Sequence, residues 1–439
     1  MNNTSLKWPR RLLLTSIYLL GVLGIVGSGG NTDVDLTCFE VDFSYDCIDQ
    51  PLPTLQLGVG GFNTGVSSIA PALDGSDDVY VGGSFTKYEN FVANHIARFN
   101  NDGSFDTGFV SGNGFDATVH TVSPANDGSG DVYAGGGFSS YNGTPVGSIA
   151  RVNLDGSLDT GFVTGAGFED IIFGFASIGK ITPAIDGSGD IYVAGRFTGY
   201  NGIAINSWLV RLNSDGSLDT GFNAGADGWG ERGFTLANDG SGDVYVTRKS
   251  SPGIARLNND GSIDAGFDTG PSGFNDQVRG IGVANDGSGD VYVVGDFDDY
   301  NGTVTIGIAR LNSDGSLDAG FVTGSGFSGT VKQVIPAIDG SGDIYVGGNP
   351  QVYQDNFIGR FVRLNDDGTI DMNFIHKFFP FPGFNNETRS IALAIDGSGD
   401  VYVGGSFTSY GVVLSVDHLV SFTVDGSLKL GRLDQLDLN

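Results

Sequence analysis

Lysine and arginine are scarce. The 439 residues hold 22 of them against 51 aspartates and glutamates, a formal charge of −29. Nucleic-acid binding rests on cations that contact phosphate, so this balance excludes it, and an anionic membrane surface would repel the chain. Proline is sparse at 13, and no Gly-X-Y period accompanies the 73 glycines, which excludes collagen. Histidine numbers four and cysteine two. The one long apolar run, residues 12–26, is shorter than the about 20 residues of a membrane helix. What is abundant forms strands: 31 Phe, 15 Tyr and many Val and Ile, with 39% of residues hydrophobic. Such a chain can build a core and is no disordered acidic tail. With glycine at one residue in six, it reads as short strands joined by tight turns rather than a helical bundle.

Lys7, Arg10 and Arg11 precede the apolar run, and Gly27 to Gly30 follow it, the pattern of a cleaved export signal. Ile25-Val26-Gly27-Ser28 resembles a lipoprotein box in which Ser28 stands where the lipid-accepting cysteine would be. A soluble extracellular, cell-surface or periplasmic protein is therefore expected, with no lipid anchor and no membrane span after cleavage. Residues 1–28 are then a signal peptide, 29–51 an N-terminal extension, 52–430 the main domain and 431–439 a tail. Cleavage removes three cations and no acid, taking the charge from −29 to −32. Cys38 and Cys47 lie in the extension, and an even pair in an exported chain fits one disulfide. Phe39, Val41, Phe43 and Tyr45, however, alternate as in a strand, and nine extended steps span roughly 30 Å. A bridge requires the segment to bend back near residues 42–44; otherwise the two thiols stay unpaired or bond another molecule.

Two strings repeat and interleave. Asp-Gly-Ser-Gly-Asp begins at Asp127, Asp186, Asp239, Asp286, Asp339 and Asp396, with a variant at Asp74. The spacings are 53, 59, 53, 47, 53 and 57, and Val/Ile-Tyr-Val/Ala usually follows. Arg-Leu-Asn-x-Asp-Gly-Ser-Leu-Asp stands at residues 211–219 and 310–318, and its Asp-Gly turn recurs seven times from Asp102 to Asp425. Each period holds four strand-length segments, as in residues 119–124 (a), 131–136 (b), 149–153 (c) and 158–163 (d). Asp-Gly is a hairpin signal, because glycine accepts positive φ and Asp closes its own turn. Four antiparallel strands repeated seven times predict an all-β, seven-bladed β-propeller of four-stranded blades. A segment from one terminus is expected to complete the first or last blade.

The run Asp-Gly-x-Gly-Asp-Val-Tyr-Val-Gly-Gly followed by Ala-Arg-Leu-Asn-x-Asp-Gly-Ser-Leu-Asp-Thr-Gly-Phe resembles the delta-60 type β-propeller repeat of secreted bacterial proteins, over about residues 52–430. Its first half is also similar to the calcium-binding integrin-type repeat, but Pro-Ala-Ile or Leu-Ala-Asn replaces that family's upstream acids. The resemblance implies fold and export and brings no assigned activity.

Strand alternation puts the a–b and c–d turns on one face, crowding the Asp-Gly series onto an acidic rim. The b–c and d–a loops share the other face and vary in length, the d–a interval running from 24 to 31 residues. Variable loops are where binding usually resides. The candidates there are Trp229 and Arg232, Arg248 and Lys249 in a shortened b–c loop, and His376, Phe378 and Phe381 in the last d–a loop. Aromatics beside cations suit sugars or acidic polymers; equally, the phenylalanines would pack a long loop onto its blade.

Asp215, Ser217 and Asp219 offer oxygens at alternating positions, as a calcium loop does, although the later bidentate Glu is missing. The same residues fit an Asx-type hairpin turn. Structural calcium is thus the one cofactor the pattern would suit. His95, His120, His376 and His418 show no ligand or triad spacing, and the acids sit in repeated turns. Asn142-Gly-Thr144 and Asn301-Gly-Thr303 match a glycosylation sequon but read first as Tyr-Asn-Gly turns. The expectation is a non-catalytic propeller binding a protein or polysaccharide through its loop face. The alternatives are a glycan lyase or hydrolase, which needs a His–acid–Arg cluster at a loop-face cavity, and a calcium-stabilised adhesion component.

Overall fold

A computed structural model describes residues 61–225, 229–248, 253–375, 383–411 and 414–429. The expected signal segment, the extension and the Cys38–Cys47 pair lie outside them. Among the described residues, seven larger antiparallel sheets follow one another along the chain, with small hairpin sheets between them. The first pairs Val66–Pro71 with Val79–Gly83, and the latter with Ile96–Phe99. The same a–b–c order recurs from Val119–Pro124, Ser177–Pro183, Trp229–Leu236, Val278–Val283, Val331–Pro336 and Thr388–Leu393. Each a strand packs against the next unit's a strand, and the last returns to the first. At that closure the Ile69 backbone N–H donates to Ser390 Oγ at 3.0 Å. The chain is a β-propeller, with the a strands around its axis.

The b strand is buried along its whole length in most repeats, as in Val79–Gly83 and Val132–Gly136, because each sheet is covered by neighbours on both faces. The core lies between units. One cluster joins Tyr80 and Ile96 of the first to Val119, Val122 and Tyr141 of the second, and another joins Val66 and Ile69 to Ala392 at the closure. The Gly-Gly that ends strand b follows from this packing. A Cβ on Gly136 would stand 2.2 Å from the carbonyl oxygen of Thr118, where strand a begins.

The expected fourth strand is not formed in most blades. Segment d is reduced to one bridge, such as Phe99↔Phe105 or Val152↔Leu158. The reason is local. Asp159 Oδ1 accepts the Gly161 N–H at 2.7 Å, an Asx turn that directs the chain off the sheet edge after a single pairing. In the last sheet Leu428–Lys429 does pair as a fourth strand, beside Leu419–Phe422.

In six repeats the b–c loops fold into two-residue hairpins that zip onto the preceding d–a connection. Phe115 bridges Tyr141, and its ring lies 4.2 Å from Phe138 and 4.6 Å from Tyr141. The Tyr141 hydroxyl then donates to the carbonyl of Gly156 in the c–d turn. Asn142 and Asn301 hold φ of 49° and 50°, the turn conformation expected of Tyr-Asn-Gly.

Candidate functional site

The acidic rim is clamped. In the second repeat the guanidinium of Arg151 meets Asp127 at 2.5 Å, Asp131 at 2.8 Å and Asp159 at 3.2 Å. It also lies over the Tyr133 ring, 5.5 Å from its centroid. Arg98, Arg256, Arg310 and Arg363 repeat this set. The repeated acids are therefore partners of the Arg in Arg-Leu-Asn rather than a free anionic surface, although each set keeps an excess of carboxylate. In the seventh repeat Ser421 stands at the arginine's position, and Lys429 takes Asp400 instead, at 2.8 Å.

The Asp-Gly aspartates also hold their own turns. Asp215 Oδ1 accepts from the N–H and hydroxyl of Ser217 at 2.9 and 2.6 Å. Asp219 accepts from Gly221 N–H at 2.7 Å and from Arg211 Nε at 2.5 Å. Asp215 and Ser217 thus form the Asx-type turn that the pattern also fits, and Asp219 joins the Arg211 clamp; among the described residues no group of three His, Cys, Asp or Glu is gathered as metal ligands. These bonds set the acid response. For Asp239, burial alone would raise the carboxyl, but Ser241 and Arg256 outweigh it and bring it to about 2 from an ordinary 3.8. Asp74, Asp127, Asp186, Asp286, Asp339 and Asp396 shift the same way. A lowered folded value means stability that is full above about 4 and lost as pH falls toward 2. Burial shifts Asp78, Asp190 and Asp343 upward and works in the opposite sense, but they are fewer. Thermal melts by circular dichroism between pH 7 and 2.5 should show a flat melting temperature to about pH 4 and a steep fall below it.

The central channel has the opposite character. It encloses about 990 Å³ and is lined by all seven a strands. Lys180, Arg248, Arg279, Lys332 and Arg389 all reach it, together with His120. Arg279 pairs with Asp296, its Nε donating at 2.8 Å. Glu387 takes Lys332 and lies 3.3 Å from Arg389. Burial would raise that carboxyl, but the two cations hold it below the usual range. Lys180 Nζ donates to the Phe234 carbonyl at 2.5 Å, and loss of hydration lowers its ammonium to about 8. His120 Nδ1 lies 3.2 Å from Ser177 Oγ.

Three of these cations occupy one repeated position. Pairing of a with b slips between residues 278 and 280, 331 and 333, and 388 and 390. The skipped residues are Arg279, Lys332 and Arg389, and a bulge of this kind re-aims its side chain. Equivalent slips skip Ser67, His120 and Gly179. In the fourth repeat Phe234 pairs with Val246 as Ile281 pairs with Val293, but the slip there runs from Trp229 to Phe234, and Arg232 lies within it.

A second feature lies on the loop face, in the d–a connection before Ser177–Pro183. Ile171 is 85% exposed and Ile172 70%, and Phe173 and Phe175 are also exposed. This tongue is built rather than loose. Asp170 Oδ1 accepts the N–H groups of Ile172 and Phe173 at 2.9 and 3.1 Å, and its Oδ2 lies 3.3 Å from Arg196 Nε. The Arg196 guanidinium sits 4.8 Å from the ring centroids of both Phe173 and Phe175.

The fold brings Trp229 and Arg248 together as backbone partners at the end of strand b, and Arg248 lines the channel rather than a loop tip. Lys249, His376, Phe378 and Phe381 lie outside the described residues. His95 and His418 lie at the carbonyls of Gly83 and Gly405, and burial lowers both. Two signals were available but unused. Stacking the a segments in register aligns Arg279, Lys332 and Arg389, and the 31-residue d–a interval marks the tongue.

A channel-bearing ring of this kind defines a β-propeller repeat protein. Residues 76–109, 128–162, 187–222, 238–267, 287–321 and 340–374 match the family model described as domain of unknown function (DUF5122) beta-propeller. The seventh repeat, which carries Ser421, is not among those stretches. Among solved structures the chain is similar to the WD40 β-propeller domain of Doa1, at 14% identity and a TM-score of 0.48, over 80% of this chain and 93% of that one. It is also similar to an ancestral GH74 enzyme, at 12% identity and 0.49, over 85% of this chain and 46% of that one. No curated protein matches.

Proposed function

We propose that the chain is an exported, non-catalytic binding propeller of the delta-60 type that holds a protein partner on its loop face. The observation that carries this is the tongue. Soluble monomers rarely expose contiguous large apolar side chains without a use for them. Protein is favoured over polysaccharide because Ile171 and Ile172 have no flat face for a sugar ring, and Arg196 already occupies a face of both phenylalanines. The clamp by Asp170 and Arg196 holds the tongue in shape before contact, which lowers the entropy lost on binding. Export is read from Lys7 to Gly30, and the Trp229–Arg248 pairing is a second contact on the same reading.

The test is Ile172→Asp with Phe173→Asp. Burying an exposed Ile or Phe contributes about 1.5–3 kcal/mol each. The immobilised double variant should therefore retain at least tenfold less of the cognate protein from an extracellular fraction, with an unchanged melting temperature. Equal retention by wild type and variant would refute the tongue as the contact.

A further inference from the structure

The cations at the start of the a strands are not required by the fold. The same bulge position is filled by Ser67, His120 and Gly179 in the first three repeats, with the same register slip. The apolar residues flanking it are buried and constant in kind, such as Val66 and Ile69, or Val331 and Val334. A position that folds with Ser, His or Gly, yet carries Arg279, Lys332 and Arg389 in three successive repeats, is filled for another reason. Gathering like charges around one cavity is unfavourable unless something anionic offsets it. Glu387 and Asp296 offset part of it.

We propose that this end of the channel is a binding site for a carboxylated oligosaccharide, a short chain of uronic-acid units. Three properties point to that class. The cations supply carboxylate partners through the guanidinium N–H groups of Arg279 and Arg389 beyond those that Asp296 and Glu387 accept. The lining beside them includes the hydroxyl of Ser67 and the amide of Gln277, which suit sugar hydroxyls, while Ser390 and Gln333 bond the backbone of Ile69 and Ile391. The space, about 990 Å³, is of oligosaccharide size. A short chain enters the channel from the loop face, the face opposite the clamp carboxylates.

The substitutions that test this are present in the molecule already. Arg279→Ser, Lys332→Ser and Arg389→Ser, combined in one variant, copy the first repeat's Ser67. Calorimetric titration of the full chain with tri-galacturonic acid at low salt should show binding that weakens at least tenfold in the triple variant and as NaCl is raised to 0.5 M. A neutral trisaccharide of the same size should not bind. The tongue variant should bind tri-galacturonic acid as wild type does, so the two sites succeed or fail separately. Failure of tri-galacturonic acid to bind would overturn the proposal, as would unchanged affinity in a folded triple variant or equal binding of the neutral sugar. Inorganic phosphate binding as tightly as the trisaccharide would reduce the site to a simple anion site and overturn its carbohydrate assignment.

Discussion

Replacing Arg363 with methionine should destabilise the ring by about 3–5 kcal/mol, the usual consequence of removing one partner from a buried ionic set. Its side chain is only 5% exposed, and three carboxylates face it: Asp339 at 2.5 Å, Asp343 at 2.9 Å and Asp371 at 3.5 Å. It also donates to the Val424 carbonyl of the next repeat at 3.1 Å, so its loss loosens an interface between blades. Asp343 is already shifted upward by burial, with Arg363 as the main restraint. Without the arginine that value rises further. A carboxyl whose folded value lies above its unfolded one loses stability as pH rises through that range. Urea unfolding of Arg363→Met should therefore show the largest deficit at pH 7 and a smaller one near pH 5. Adding Asp343→Asn should recover part of it at pH 7. Arg151→Met should lose less, because Asp127 is far more exposed to water. Equal losses at the two sites would show that burial does not set the strength of the clamp.

The clamp explains why the fold was legible and why its chemistry was not. The interval between Asp-Gly turns and the Val-Tyr-Val strand are local signals, visible in any one repeat, and they specify strands, turns and their order. The role of Arg98, Arg151 or Arg363 is not local. Each arginine lies 20 to 24 residues from the two a–b turn aspartates it holds, so only the pairing of strand c with strand b brings them together. Counted as composition, the aspartates give an acidic rim; in three dimensions much of that charge is internal bonding. The short fourth strand was hidden for the reverse reason. Asp-Thr-Gly-Phe looks like a continuing strand until the Asp159 carboxylate is seen capping Gly161.

The channel was missed because its residues are few and dispersed. Arg279, Lys332 and Arg389 are single cations in separate strands, and each alone is an ordinary polar residue near a strand start. Alignment in register is what turns them into a cluster. Arg248 of the irregular fourth repeat was placed on a loop, whereas the residue closes strand b and lines the channel.

That same position yields the second large effect. Gly83, Gly136, Gly295, Gly348 and Gly405 end strand b in five repeats, Gly195 holds the same register one residue before the end in the third, and Arg248 stands there in the fourth. A Cβ on Gly295 would be 2.1 Å from the Gln277 carbonyl oxygen, which no real contact tolerates. The fourth repeat admits a side chain because its strand a departs there: Trp229 pairs with Arg248, and pairing resumes only at Phe234 with Val246. The fifth repeat has no such detour, since Val278 and Gly280 pair in succession around the Arg279 bulge. Gly295→Ala must therefore break the first pairing of that blade, at about 3 kcal/mol, the upper range for overpacking a close-packed site. It should also displace Arg279 and weaken tri-galacturonic acid binding. Gly287→Ala is the contrast. Gly287 has a φ of +81° and nothing within 4 Å of its added Cβ, so only backbone strain of about 1–2 kcal/mol opposes the change. Denaturant melts of the two variants separate the causes. If Gly295→Ala is no less stable than Gly287→Ala, close approach of strand a is not what keeps glycine at the end of strand b.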